Sequence, residues 1–370
     1  MESSDELVGF ENITAFVENG TECVIWEWEP SYTVIPAVYL LVFTLGLLGN
    51  GGVVWLCWYP AARRKSADTF IAHLALADLA FVLSLPLWAA YAALGYRWPF
   101  GIFLCKLGSY LVLLNMYSSV FCLTCLSVDR YQAIVGGCGL PLVALPVPRP
   151  RRRGLWLAGV WALAGVLALP ALAFRRALEV QDPGEGQRTV CDTDLSSLGL
   201  SEEAQALCLA ALGLSSTALG YVLPFVVMAT CYGLLGLALW GHFCRREGAR
   251  RRRLLGVIAV LVLTFGLCWL PFHAVKTLDT LDGLGLLELP CSLRVLVYVA
   301  HPYTTCLAYF NSCLNPVLYT CLDPDFRLRY RAALARCRGG GGGGVGLGPS
   351  HSASRGGSDH TQCEARSFRA

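Results

Sequence analysis

A chain of 370 residues could hold two or three soluble domains, but 55% of these residues are hydrophobic and only 15% are charged. That balance is too apolar for ordinary globular surfaces and makes the lipid bilayer the expected solvent. The formal net charge is only +3 and the six His residues are scattered; no nucleic-acid partner is expected, and without a catalytic cluster the chain reads as a non-enzyme.

Crossing about 30 Å of hydrocarbon takes roughly 20 apolar residues in a helix. Runs of that kind occupy Val34–Trp58, Phe70–Leu94, Phe103–Val135, Leu155–Phe174, Ala206–Trp240, Leu254–Leu278 and Val295–Leu322. The expected architecture is all-α, a seven-transmembrane helix bundle over residues 34–322, with the two termini on opposite sides. Basic loops stay in the cytosol. Alternate connections carry Arg63, Arg64 and Lys65, then Arg149 and Arg151 to Arg153, then Arg245, Arg246 and Arg250 to Arg253. That side holds 22 of the 29 Lys and Arg residues, whereas the other holds 18 of the 26 acids. The amino terminus is therefore expected outside the cell, in a multi-pass protein of the plasma membrane.

The outer tail, residues 1–33, is acidic: eight Glu and Asp residues and no Lys or Arg precede Pro36. It lacks the basic start and apolar run of a cleavable signal peptide, so the first span is expected to direct insertion. Asn12 and Asn19 each begin an Asn-x-Thr sequon and are candidate glycosylation sites. Glu27 and Glu29 interleave with Trp26 and Trp28 as a contact surface would, and a field of one sign at a mouth concentrates ligands of the opposite charge. A merely solvated acidic tail has the same composition. Cys23, Cys105, Cys191 and Cys291 are the four cysteines placed outside, where disulfides form; spacing leaves their pairing open.

In the second span, Asp78 puts a carboxylate mid-membrane at a cost of about 3 kcal/mol and needs compensation. Asn50, then Asn115 with Ser119, then Asn311, Ser312 and Asn315 fall at matching depth in spans one, three and seven. A neutral, hydrogen-bonded Asp78 and an oxygen-rich cation site both satisfy this pattern. Asp129-Arg130-Tyr131 closes the third span, and Asn315-Pro316-Val317-Leu318-Tyr319 closes the seventh. Within Cys268-Trp269-Leu270-Pro271, Pro271 removes a backbone bond and kinks the sixth span. The amphipathic stretch over 323–337 ends at Cys337, where lipidation could anchor a short eighth helix along the membrane surface. Residues 338–370, with a six-glycine run, cannot bury enough surface to fold and are expected as a disordered cytoplasmic tail.

Those closing motifs and the proline hinge, on successive spans in the right order, resemble the rhodopsin-like (class A) G-protein-coupled receptors. The resemblance covers the chain from about Val34 to Cys337. It implies that Cys105 pairs with Cys191 and Cys23 with Cys291. It implies a sodium ion at Asp78, Asn115, Ser119, Asn311 and Ser312, beneath Trp269; no other cofactor is expected. Asp129, Arg130, Tyr131, Phe265, Trp269, Pro271, Asn315, Pro316, Tyr319 and Tyr232 match the activation switch, which acts on a heterotrimeric G protein and arrestin. In the resting state Arg130 pairs with Asp129, and the facing run Arg250 to Arg253 offers it no acid.

The last span has no lysine for a retinal Schiff base, and Val112 stands where amine receptors carry an aspartate. Ile35-Pro36-Ala37-Val38-Tyr39-Leu40, Leu85-Pro86-Leu87-Trp88-Ala89, Trp98-Pro99-Phe100-Gly101 and Leu270-Pro271-Phe272-His273-Ala274-Val275-Lys276-Thr277 are similar to blocks of the apelin receptor family. That resemblance implies a basic peptide ligand of the apelin or Elabela kind, a pocket lined by Trp88, Arg175, Asp194 and Lys276, and mainly inhibitory G proteins. Glu27 and Asp194 are expected to meet the cationic body of the peptide, and Arg175 or Lys276 its terminal carboxylate. Gly95, Arg97, Ser292 and Arg294 stand where the family carries acids, and the inner loop over 136–150 is Gly- and Pro-rich. These departures point to a divergent relative. A non-signalling peptide scavenger and a receptor for an angiotensin-like or chemokine-like peptide remain as alternatives.

Overall fold

The computed structural model describes residues 13–18, 21–26, 31–58, 66–135, 153–182, 186–240 and 249–339. Ten helices build it: α1 (Ser31–Trp58), α2 (Ser66–Val82), α3 (Leu85–Ala93), α4 (Gly101–Val135), α5 (Arg153–Phe174), α6 (Glu202–Thr217), α7 (Leu223–Trp240), α8 (Ala249–Gly283), α9 (Cys291–Leu322) and α10 (Pro324–Gly339). Two antiparallel hairpins, β1 (Ile13–Glu18) with β2 (Thr21–Trp26) and β3 (Arg175–Asp182) with β4 (Gly186–Thr193), lie before α1 and after α5. Among the described residues, six spans are long and apolar enough to cross a membrane by length and composition. The seventh, α9, runs for 32 residues.

Two spans that read as continuous are interrupted. The second divides into α2 and α3 at a turn over Leu83 and Ser84, where Ser84 Oγ donates to the Phe81 carbonyl at 2.7 Å. Pro86, in the first turn of α3, has no N–H to continue the ladder behind it. The fifth consists of α6 and α7 joined by a π turn over Ala218–Val222, a bulge that rotates the faces of the two halves relative to each other.

The helices close into a ring. Helix α1 packs on α2, α3 and α9, α9 on α8, and α8 on α6 and α7, while α4 runs through the middle against α2, α5, α7 and α8. Close approach depends on small residues: a Cβ at Gly49 would lie 2.9 Å from Pro316 Cβ, so α1 and α9 meet there without room for a side chain. Large apolar residues turn outward as readily as inward, with Leu48 and Leu155 each 71% exposed. On a water-soluble protein such a surface would be costly; against hydrocarbon it is the natural solvent face.

At the outer end, Trp98 is the anchor. It is buried, its ring nitrogen donates to the Gly101 carbonyl at 2.9 Å, and its backbone N–H donates to Thr189 on β4 at 2.8 Å. Gly101 at φ +73° makes the turn into α4 that a Cβ would disfavour. Two residues along β4 from Thr189, Cys191 is disulfide-bonded to Cys105 with Cα atoms 5.6 Å apart, fastening β4 to the top of α4. Cys291 is also disulfide-bonded, and β2 runs against α9; the side chain of Cys23 lies outside the described residues. At the inner end, Arg329 of α10 forms a two-pronged pair with Asp68 of α2, at 2.7 and 3.2 Å. Burial works against the Arg329 charge, but the Asp68 carboxylate more than offsets it and holds the guanidinium pKa above its ordinary value. Helix α10 is thus bound to the bundle by charge as well as by the packing of Phe326 and Tyr330. Cys337 lies in this helix with its side chain outside the described residues.

Removing the Cys105–Cys191 link by Cys105→Ala or Cys191→Ala is expected to cost about 2–5 kcal/mol. Thermal unfolding of the purified protein in detergent or nanodiscs checks this; a midpoint equal to wild type would mean that the Trp98 contacts alone hold the hairpin.

Candidate functional site

The hairpin β3–β4 roofs the outer end of the bundle, and beneath it lies a cavity of about 620 Å3 lined by Tyr32, Tyr91, Arg188, Asp192, Asp279 and His301 among others. Trp88, Arg175, Asp194 and Lys276, the residues expected to bind ligand, are not among those lining this space; Trp88 and Arg175 each touch residues that do. Trp88 packs between Tyr91 and Trp98, with ring centroids 6.1 and 5.2 Å away, and its buried Nε1 has no hydrogen-bond partner. Arg175 begins β3; its Nη1 donates to the Cys191 carbonyl at 3.1 Å and lies 3.4 Å from Asp192. Lys276 on α8 donates to Ser216 of α6 at 2.6 Å and lies 5.8 Å from the centre of the Phe272 ring. Among the described residues no carboxylate pairs with Lys276. Arg175 lies near enough for its charge to act on it.

Several charges that look available in the sequence are spent on one another. Asp194 sits 3.3 Å from Arg176 and accepts the Ser196 backbone N–H at 2.8 Å. Hydrogen bonds from Ser196, with Arg176 beside it, hold its carboxyl below the usual carboxylate range, so it stays ionised at physiological pH. Arg294, one of the departures from the family pattern, reaches back from α9 to Asp282 of α8 at 2.8 Å, and Asp282 also accepts the Leu289 N–H. This pair staples the tops of α8 and α9 instead of confronting a ligand. Glu27, Asn12 and Asn19 lie outside the described residues.

Below the pocket, α6 and α8 are joined by a chain of polar and aromatic contacts that nothing in the sequence singles out. His273 is 2% exposed; its Nδ1 lies 3.1 Å from Thr217 Oγ1 and its ring stacks on Tyr221 at 5.0 Å. Tyr221, turned inward by the π bulge, donates its hydroxyl to the Gly266 carbonyl at 3.1 Å. Trp269 and Phe265 follow on α8 with ring centroids 6.0 Å apart. His273 Nε2 and Trp269 Nε1 are buried without hydrogen-bond partners.

Mid-membrane, Asp78 is fully buried and accepts from Asn115 at 2.8 Å, Ser119 at 3.4 Å and Asn315 at 3.0 Å. Ser312 donates to Asn115 Oδ1 at 3.3 Å, and Asn50 donates to the Ser312 carbonyl at 2.8 Å. The structure therefore brings together four of the five residues read as a cation site and adds Asn315. Asn311 is buried too, but its Oδ1 has no partner. At the inner end of α4, Asp129 and Arg130 form an ion pair with little exposure. Tyr131 packs with Cys231, Leu235 and Leu255, Tyr232 lies beside that cluster, and the buried Tyr319 ring lies tilted against Phe326 of α10, centroids 5.9 Å apart. The arginine run 250–253 lies outside the described side chains.

A bundle of seven apolar spans tied together by a buried Asp78 network, with a disulfide-fastened hairpin over its outer mouth, defines a class of membrane receptor. Residues 49–319 match the 7 transmembrane receptor (rhodopsin family), and the chain belongs to that family of multi-pass membrane proteins. Within it, the chain is 50% identical to apelin receptor B of Danio rerio over 314 residues, covering 84% of this chain and 85% of the relative. It is 47% identical to the apelin receptor of Xenopus tropicalis, with 82% of each chain covered. The human type-1 angiotensin II receptor is 37% identical over 80% of this chain and 79% of its own. The chain is thus a class A receptor homologous to the apelin receptors.

Proposed function

We propose that this chain is a cell-surface receptor for a basic peptide of the apelin or Elabela kind, with its amino terminus outside, signalling through heterotrimeric G proteins of the inhibitory class and recruiting arrestin. The observation that carries the reading is Lys276: a part-buried cation in the outer half of the bundle that, among the described residues, meets a serine hydroxyl and an aromatic face but no carboxylate, with the charge of Arg175 acting on it. A charge so placed is poorly compensated, and the terminal carboxylate of a peptide is a natural partner. Three unmatched ring nitrogens, of Trp88, Trp269 and His273, support a polar occupant, since buried polar groups ordinarily find partners. The similarity to apelin receptors supplies the peptide class.

The Asp78 network fits a sodium ion. Asp78 and Ser119 offer charged and neutral oxygens, Asn115 and Ser312 surround them, and the buried Oδ1 atoms of Asn311 and Asn315 accept nothing. A hard cation takes such oxygens. Bound there, it would supply positive charge to Asp78 and stabilise the helix arrangement that the network ties together.

Two outcomes are expected. With labelled apelin, Lys276→Ala or Arg175→Ala should lose affinity for the free-acid peptide far more than for its C-terminal amide, by about 2–5 kcal/mol, because truncation leaves one charge of a pair unmatched. Glu27→Ala should chiefly slow association and weaken its salt dependence. Equal losses for acid and amide at both basic positions would refute the carboxylate assignment, and a flat cyclic-AMP response of expressing cells to apelin and Elabela would refute inhibitory coupling. Separately, raising sodium at constant ionic strength should lower agonist affinity, and Asp78→Asn should abolish the effect, because a ligand shifts a conformational equilibrium only through differential affinity for its states. Agonist binding indifferent to sodium in the wild type would leave Asp78 as a structural residue alone.

A further inference from the structure

A second cavity lies away from the outer mouth, on the lipid-facing side of the bundle. It measures about 580 Å3 and sits between Phe121, Thr124 and Cys125 of α4 and residues 155–163 of α5. None of the residues lining it is charged, and the one hydroxyl among them, on Thr124, donates to the Val120 carbonyl of its own helix at 2.7 Å. The lining therefore makes no demand for a charged or strongly polar occupant.

The void is local. Further out along the contact between α4 and α5, a Cβ at Gly165 would lie 3.4 Å from the Tyr110 hydroxyl, so the two helices fill that level; at Gly159 a Cβ would meet nothing within 4 Å. Leu155, Gly159 and Leu163 follow one another at helical spacing and share one face of α5. The glycine is thus a notch between two leucines. Those leucines are 71% and 50% exposed, so the mouth of the notch is continuous with the surface that faces hydrocarbon. What covers it comes from the bilayer.

Depth and shape narrow the occupant. The cavity adjoins the start of α5 at Arg153 and lies short of Asp129 and Arg130 on α4, which places it in the inner half of the membrane. Residues 155–163 rise about 12 Å along the helix, against about 15 Å for half of the hydrocarbon core. Trp156 stands at the inner end, where indole rings gather at the membrane–water interface. The far wall is braced: Phe121 stacks on Tyr117 with centroids 6.0 Å apart, and a Cβ at Gly220 in the π turn would lie 3.4 Å from the Tyr117 ring. A notch with fixed walls favours a rigid occupant, because a flexible acyl chain loses freedom about each bond it immobilises whereas fused rings have little to lose.

We propose that this groove is a sterol site. The ring system lies against α5 at Gly159, between Leu155 and Leu163, with the sterol hydroxyl at the Trp156 end. The proposal rests on the membrane placement of α4 and α5 and is independent of which peptide the receptor binds.

The test uses the full-length receptor in phosphatidylcholine nanodiscs that contain cholesterol carrying a diazirine on its rings, with adducts located by mass spectrometry. Labelling of the wild-type protein should fall within 121–125 and 155–163, should saturate, and should be displaced by unlabelled cholesterol. Gly159→Leu, whose side chain enters open space, should abolish it. Gly236→Leu, at an exposed glycine of α7 where an added Cβ also meets nothing, should label as wild type does. Labelling that is absent, that spreads evenly over all spans, that unlabelled cholesterol does not displace, or that survives Gly159→Leu overturns the site. Equally strong labelling of the same segments by a phosphatidylcholine with the diazirine in its acyl chain, in discs that contain cholesterol, assigns the groove to an acyl chain and overturns the sterol. Displacement in the wild-type protein decides the matter even where the leucine variant does not fold.

Discussion

Hydrocarbon offers no hydrogen bonds, so each polar group inside the seven spans must be satisfied by another helix. Asp78 is where that constraint bites hardest. Its fully buried carboxylate draws donors from Asn115 and Ser119 on α4 and from Asn315 on α9, while Asn50 of α1 reaches the Ser312 carbonyl of the same α9 segment. Four spans are thereby held in register by side chains that are weakly polar or neutral, arranged around a single charge. Displacing any one helix leaves an unmatched polar group in an apolar medium, at a cost larger than the net worth of an ordinary hydrogen bond.

The outer end obeys a different rule, because water and charge are available there. The disulfide and Trp98 hold the β3–β4 hairpin over the mouth, and around it arginines and aspartates neutralise one another in short pairs. Such exposed pairs contribute little to stability. Their consequence lies in what they leave over. With Asp194 engaged by Arg176 and Asp282 by Arg294, Lys276 and Asp279 of α8 are left without an ion-pair partner among the described residues, in the same helix as His273 and Pro271. Ligand charge and helix geometry are therefore adjacent in the same element: Lys276 already bridges to Ser216, which precedes the π bulge that turns Tyr221 onto Gly266.

The seven spans, the motifs that close α4 and α9, the proline inside α8 and the burial of Asp78 were legible in the sequence because each depends on local properties. Twenty or so apolar residues in succession, a proline within a helix and a carboxylate in an apolar run carry their physical meaning wherever they occur. Lys276 and Arg175 were legible only through resemblance; as isolated residues they look like basic groups snorkelling toward the headgroups. The break at Ser84 and the π turn before Leu223 were not legible, since Pro86 and Pro224 fit equally well in a continuous membrane helix whose neighbours re-satisfy the freed carbonyls.

By itself the sequence determined that this chain lives in a bilayer, how often it crosses, which loops are basic and where a buried charge needs company, because hydropathy and charge act on each segment separately. Only the tertiary structure decided which charges cancel and which stay open. Asp194, Asp279 and Asp282 are alike as letters near the ends of outer segments. They differ because the hairpin brings Arg176 to the first and α9 brings Arg294 to the third, whereas no basic side chain among the described residues pairs with Asp279. Pairing is a property of which elements abut, and that is settled by the ring of helices and the fastened hairpin acting together.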